Sequence, residues 1–181
     1  MRLFIGLELP HLIKAELGLL LQRPPLAGAR WQSPEQLHLT LRFIGGVPDS
    51  QVPDVQAGIA NLASAPFTLQ LQSAGCFGPA YRSRVLWVGA TPEAPLAHLH
   101  TQLNQRLAAL GYEPPEQDFR PHVTLARFGR SGGDVEAFLN RHARYRSSAF
   151  PVEWFSLFAS LPEPGGVRYE VLQRYPLRPV L

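Results

Sequence analysis

The sequence predicts an α+β fold with antiparallel or mixed sheets. Three observations carry this. Strand-like and helix-like stretches are interspersed along the chain and joined by short, hairpin-like connections. No glycine-rich loop follows the first strand, which argues against doubly wound and P-loop nucleotide folds. One strand-like stretch also has an echo: residues 38–46 read HLTLRFIGG and residues 122–129 read HVTLARFG. The length of 181 residues suits one compact domain or two small, intimately packed lobes.

The elements follow from hydrophobic spacing and from eighteen prolines and fifteen glycines that punctuate it. Arg2 to Glu8 is an opening strand. Pro10 to Gln22 has helical spacing, with Leu12, Ile13, Leu17, Leu20 and Leu21 on one side, and Pro24-Pro25 ends it. Leu37 to Ile44 is a strand stopped by Gly45-Gly46, and Gln51 to Leu62 is a helix. Phe67 to Gln72 alternates as a half-buried strand does, and Arg84 to Val88 is an apolar strand. Pro95 to Leu110 is the clearest helix, with Leu96, Leu99, Leu103, Leu107 and Leu110 in phase and Gly111 as its stop. Pro121 to Arg127 is a strand and Gly133 to Arg141 a short helix. Phe150 to Leu161 and Val167 to Tyr175 form a final strand pair around Pro162-Glu163-Pro164-Gly165-Gly166.

Composition excludes several function classes. Apolar residues make up 45% of the chain and charged residues 17%, a balance that builds a core and not a disordered arm. The formal charge of +3 leans only mildly toward anionic ligands. All the basic residues except Lys14 are arginine, whose planar fork grips phosphate with parallel hydrogen bonds. Cys76 is the only cysteine, so neither a disulfide nor a Cys-His zinc framework is expected. The opening MRLFIGLELP does not read as a signal peptide, and no apolar run reaches transmembrane length. The expectation is a cytoplasmic monomer with no membrane role.

The echo is the informative feature. With one residue of slack the copies share His-x-Thr-Leu, then Arg-Phe, then Gly, and 84 residues separate His38 from His122. Random placement of the chain's histidines and threonines gives roughly 0.2 His-x-Thr pairs; two are present, and both continue with Leu. On a strand, residues i and i+2 share a face. His38 and Thr40 therefore project together, while Leu37, Leu39, Leu41 and Phe43 turn to the core. His122 and Thr124 project together over Val123 and Leu125. Two such strands side by side would make a cleft of two imidazoles and two hydroxyls.

Two imidazoles facing one substrate suit general acid and general base, since both titrate near neutral pH. In-line displacement at phosphorus needs both roles, and Thr40 and Thr124 can donate to phosphoryl oxygens as charge builds there. This chemistry asks for no metal and no cofactor. The stretches RLFIGLEL, HLTLRFIG, RVLWVG and FRPHVTLARF, which span essentially the whole chain, resemble the two-histidine phosphoesterase superfamily. Within it the chain is similar to the RNA 2′,3′-cyclic phosphodiesterases, also called 2′-5′ RNA ligases or LigT-like proteins. The resemblance implies one bilobal unit over residues 1–181, two pseudo-symmetric lobes each with an antiparallel sheet and outer helices, and a cleft between them. It implies hydrolysis of RNA 2′,3′-cyclic phosphate ends to 2′-phosphates, with reversible 2′-5′ ligation as a side activity. It also implies that His38 gives the proton to the leaving 3′ oxygen and His122 activates water; the near-symmetric motifs do not rank the two. The partner would be RNA with a cyclic phosphate end, tRNA halves among the candidates, or nucleotides.

Further candidates come from strand parity. The family often has an arginine just after the second motif, where Arg127 stands, but strict alternation puts Arg127 on the face opposite His122 and returns Arg130 to the His face. Arg130 and Arg127 are the expected phosphate contacts, with Arg42 ranked below. Phe43, Trp31, Tyr81 and Phe119 could stack on a base, although alternation sends Phe43 to the core and Phe119 reads as a staple for its loop. His98 and His100 do not share a helix face, and His11 and His142 read as surface residues. Two alternatives stay open: a non-catalytic RNA-end or nucleotide-binding module, and a phosphodiesterase for small cyclic nucleotides.

Overall fold

The structure is a computed structural model and describes residues 1–21 and 25–179. Among the described residues there are nine strands: β1 (Arg2–Glu8), β2 (Arg30–Trp31), β3 (His38–Gly46), β4 (Phe67–Phe77), β5 (Val85–Thr91), β6 (His122–Arg127), β7 (Phe150–Val152), β8 (Trp154–Glu163) and β9 (Gly166–Pro176). They form one path in the order β7-β4-β5-β6-β3-β1-β8-β9, with β2 added on β6. Every pairing between named strands is antiparallel.

The expected pair of lobes is visible in this path as two four-stranded halves, β7-β4-β5-β6 and β3-β1-β8-β9. Among the described residues their strands pair at Leu39↔Val123, one residue past each histidine. The long strand expected over Phe150 to Leu161 breaks at Glu153, whose carbonyl accepts from Leu177 N at 2.8 Å. β7 pairs in one half and β8 in the other, so the chain crosses halves there and curls the sheet back on itself.

The helices cover the apolar face. α1 (His11–Leu21) buries Ile13, Leu17 and Leu20 but leaves Leu12 exposed. The expected helix end at Gln22, with Pro24 in its stop signal, lies outside the described residues. α2 (Val52–Gly58) ends earlier than expected because Asn61 takes a left-handed backbone, φ 56°, that breaks the helix. α3 (Glu93–Ala109) buries Leu96, Leu99, Leu103 and Leu107. Gly111, at φ 88°, closes α3. Its N–H reaches Ala108 O and the N–H of Tyr112 reaches Leu107 O, each at 3.0 Å, the paired bonds of a Schellman stop. Leu110 falls past the stripe and stays exposed. α4 (Glu136–Arg141) starts later than Gly133 because Gly133 is held in a two-way backbone bridge to Ser83. Buried apolar residues from both halves join in a single core cluster.

Candidate active site

Each histidine begins a central strand, β3 or β6, and each is fixed by the same local device. His38 Nδ1 lies 2.7 Å from the carbonyl of Gln36, and His122 Nδ1 lies 2.7 Å from the carbonyl of Arg120. A carbonyl only accepts, so Nδ1 carries the proton in both rings and Nε2 is left for chemistry. His38 Nε2 accepts from the Thr40 hydroxyl at 3.0 Å.

Both strands then carry an extra residue at the same place. Against β1, Gly6 pairs with Thr40 and Ile5 with Arg42, so Leu41 is the extra residue. Against β5, Trp87 pairs with Thr124 and Leu86 with Ala126, so Leu125 is the extra residue. A bulge puts two consecutive residues on one side and inverts the alternation beyond it. Leu41 and Arg42 are thus both buried, as are Leu125 and Ala126. Phe43 and Arg127 turn out to the histidine face.

The bulges correct three expectations. Arg127, assigned by parity to the wrong face, lines the same cavity as His122 and Thr124. Arg130, favoured by parity, is exposed in a turn after β6 has ended and is not among the lining residues. Phe43, expected in the core, is 60% exposed and lines the cavity. The correct alignment of the motifs has no gap: Phe43 corresponds to Arg127. Arg42 is 8% exposed and lines the cavity, donating to Phe43 O at 2.6 Å and to Glu113 O, so it ties β3 to the segment after residue 109.

The cavity measures about 580 Å³. Thr40, His122, Thr124, Arg127 and Phe43 line it, and His100, Gln117, Asp118, Phe119 and Arg120 extend it. His38 meets this space at its edge, through Thr40. Its ring is walled by Phe4 and Tyr169, centroids 4.8 and 4.9 Å away, and by Phe158. His122 has Phe77 edge-on at 4.9 Å and Trp87 at 5.9 Å. Gly75 makes room for that indole, since a Cβ there would stand 2.2 Å from the ring. Trp31 packs on Phe138 on the core side, and Phe119 stacks on His100 at 4.2 Å.

Burial behind the aromatic wall pushes the His38 imidazole down to about 4; the Gln36 carbonyl opposes this, while Arg127, His122 and Lys14 add to it. His122 is lowered too, first by burial and then by Arg127 and Arg120. The His38 ring is therefore neutral at pH 7. Among the described residues no group of three His, Cys, Asp or Glu gathers in a metal-holding cluster, and no helix is long and apolar enough to cross a membrane.

Sequence reasoning missed Phe77, Tyr169 and Trp87. Phe77 was hidden because its strand was expected to end at Gln72. The strand instead bulges at Ser73, φ 57°, and resumes.

The family model of the 2′-5′ RNA ligase superfamily matches residues 25–157. The chain belongs to this superfamily. It is 33% identical to the RNA 2′,3′-cyclic phosphodiesterase of Thermus thermophilus, over 98% of this chain and 91% of that one. It is 31% identical to the enzyme of the same name from Escherichia coli, over 97% and 96%. The crystal structure of E. coli LigT complexed with 3′-AMP superposes with a TM-score of 0.81 at 28% identity, covering 97% of each chain. Superfamily membership accounts for the antiparallel α+β architecture and for the repeated motif.

Proposed function

We propose that this chain hydrolyses 2′,3′-cyclic phosphates at RNA ends and leaves a 2′-phosphate. The observation that carries the reading is the duplicated device. Two imidazoles are each held in the same tautomer by a backbone carbonyl; His122, Thr40, Thr124 and Arg127 line one cavity, and His38 reaches its edge through Thr40. The names of its relatives in Thermus and E. coli support the substrate class.

In the proposed mechanism, water attacks phosphorus and His122 Nε2 takes its proton. The bond from phosphorus to the 3′ oxygen breaks, and His38 Nε2–H gives that oxygen a proton. Arg127 and the hydroxyls of Thr40 and Thr124 donate to the non-bridging oxygens, where charge grows. The roles of the two histidines follow the family resemblance. Burial holds His38 neutral at pH 7, so the phosphate's negative charge has to raise its proton affinity on binding. The proposed setting is a cytoplasmic monomer acting on RNA ends such as those of tRNA halves, with reversible 2′-5′ ligation, in which a 5′-hydroxyl takes the place of water, as a side activity.

The test is incubation of an RNA oligomer ending in a 2′,3′-cyclic phosphate with the protein in EDTA. The expected product is a 2′-phosphate, formed at an undiminished rate. No turnover, or a 3′-phosphate product, would overturn the reading.

A further inference from the structure

β2, the two-residue strand absent from the sequence expectations, pairs with β6, the strand that carries His122 and Arg127. Arg30 pairs with Arg127 and Trp31 with Ala126. Directly paired residues on antiparallel strands share a face. Trp31 and Ala126 lie on the core side, so Arg30 stands beside Arg127 on the cleft side. The neighbouring bond from Gln32 N to Leu125 O, 2.8 Å, ties β2 to the bulge that turns Arg127 outward. Like charges directly opposite each other are destabilising. Among the described residues neither guanidinium has a carboxylate within 4.0 Å or a hydrogen-bond acceptor. An unrelieved pair of cations beside a cavity of about 580 Å³ fits a ligand that brings two phosphates.

We infer that Arg30 binds the phosphodiester preceding the reacting end, with Arg127 on the cyclic phosphate itself. Arg30 then makes an RNA chain a better substrate than a cyclic mononucleotide. This rests on the proposed function. Arg30 is exposed, and β2 is held through its backbone, so Arg30→Ala is compatible with the fold.

The experiment measures kcat/KM for wild type, Arg30→Ala and Arg30→Lys on a 2′,3′-cyclic mononucleotide and on an oligomer with the same end. For Arg30→Ala the oligomer value is expected to fall about tenfold through KM while the mononucleotide value holds within about twofold. Lysine should recover part of the loss. The slope of log KM against log salt for the oligomer should decrease by about 0.7, the signature of one lost phosphate contact. Equal losses on both substrates, or no loss on either, would overturn the assignment, as would a wild type that does not prefer the oligomer. Failure of the underlying reading shows separately, as wild type that turns over neither substrate. In that case binding of a 2′-phosphorylated oligomer by wild type and Arg30→Ala decides the Arg30 contact, with equal affinities counting against it.

Discussion

The strands β3 and β6 are the same device built twice, in two different environments. Each opens with a histidine whose Nδ1 faces the carbonyl two residues back, continues with a threonine, and bulges at the following leucine. The differences begin beyond the bulge and behind the ring. β3 turns out Phe43 where β6 turns out Arg127. His38 is sealed by Phe4, Phe158 and Tyr169 and bonded to Thr40, whereas His122 has Phe77 and Trp87 beside it and lines the cavity directly. A duplicated motif thus supplies paired geometry, and its surroundings make the two halves unequal.

The largest effect should come from breaking both copies. His38→Ala and His122→Ala should each lower kcat by about 10²- to 10⁴-fold. A substrate with a sulfur leaving group at the 3′ position sharpens the comparison. It needs no proton on departure, so it should restore His38→Ala toward wild type and leave His122→Ala slow. Rescue of His122→Ala instead would reverse the assigned roles.

The position after the bulge is the next contrast. In the proposed mechanism Arg127→Ala removes a donor to charge that develops at phosphorus, and it should lower kcat about 10²-fold. Phe43→Ala removes a surface on which a base can stack and should raise KM about tenfold with kcat nearly intact. Similar kcat losses in the two variants would show that the two halves are not specialised in this way.

How much of this could be read from the sequence depended on how local the signal was. His38, Thr40, His122 and Thr124 were legible because i and i+2 share a face before either bulge. Phe43 and Arg127 were not, because a parity count assumes an unbroken strand. Nothing in Leu-Arg or Leu-Ala announces an extra residue. The β6 bulge is registered by β5 and by the bond from Gln32 N to Leu125 O, partners distant in sequence. The same blindness promoted Arg130 and hid β2, since two residues cannot show a period. The leucine stripe of α3 was legible for the opposite reason, with four buried positions repeating within one element.

The sealed environment of His38 also predicts a pH dependence of stability. Its folded value, about 4, lies below the ordinary 6.5, so between these pH values the unfolded chain binds a proton that the folded chain refuses. Stability is full above pH 6.5 and declines as pH falls toward 4. The His38 contribution is on the order of 3 kcal/mol. Denaturant unfolding of wild type and His38→Gln at pH 7 and pH 4.5 checks this. The variant should lose less stability on acidification than wild type, and parallel losses would contradict the assignment.

The smallest expected effect concerns the residue opposite each histidine. Glu8 pairs with His38 across β1 and β3, while Gly89 pairs with His122 across β5 and β6. The Glu8 carboxylate accepts from Arg174 at 2.7 and 2.8 Å, from Ser156 at 2.8 Å and from Trp154 at 3.0 Å, which staples β1, β8 and β9. The Arg174 bond chiefly holds its pKa down to about 2, against burial. No such staple crosses at Gly89, which has no side chain to make one. Glu8→Gln keeps the shape but removes the charge, and because the Arg174 end is exposed the loss should be only about 1 kcal/mol at pH 7. The difference between wild type and variant should shrink as pH falls below 4.5 toward 2, where Glu8 itself takes a proton. Amide exchange locates the effect: faster exchange in β9 with β4 and β5 unchanged is expected. Uniform acceleration across both halves would mean that the staple does not set the His38 half apart.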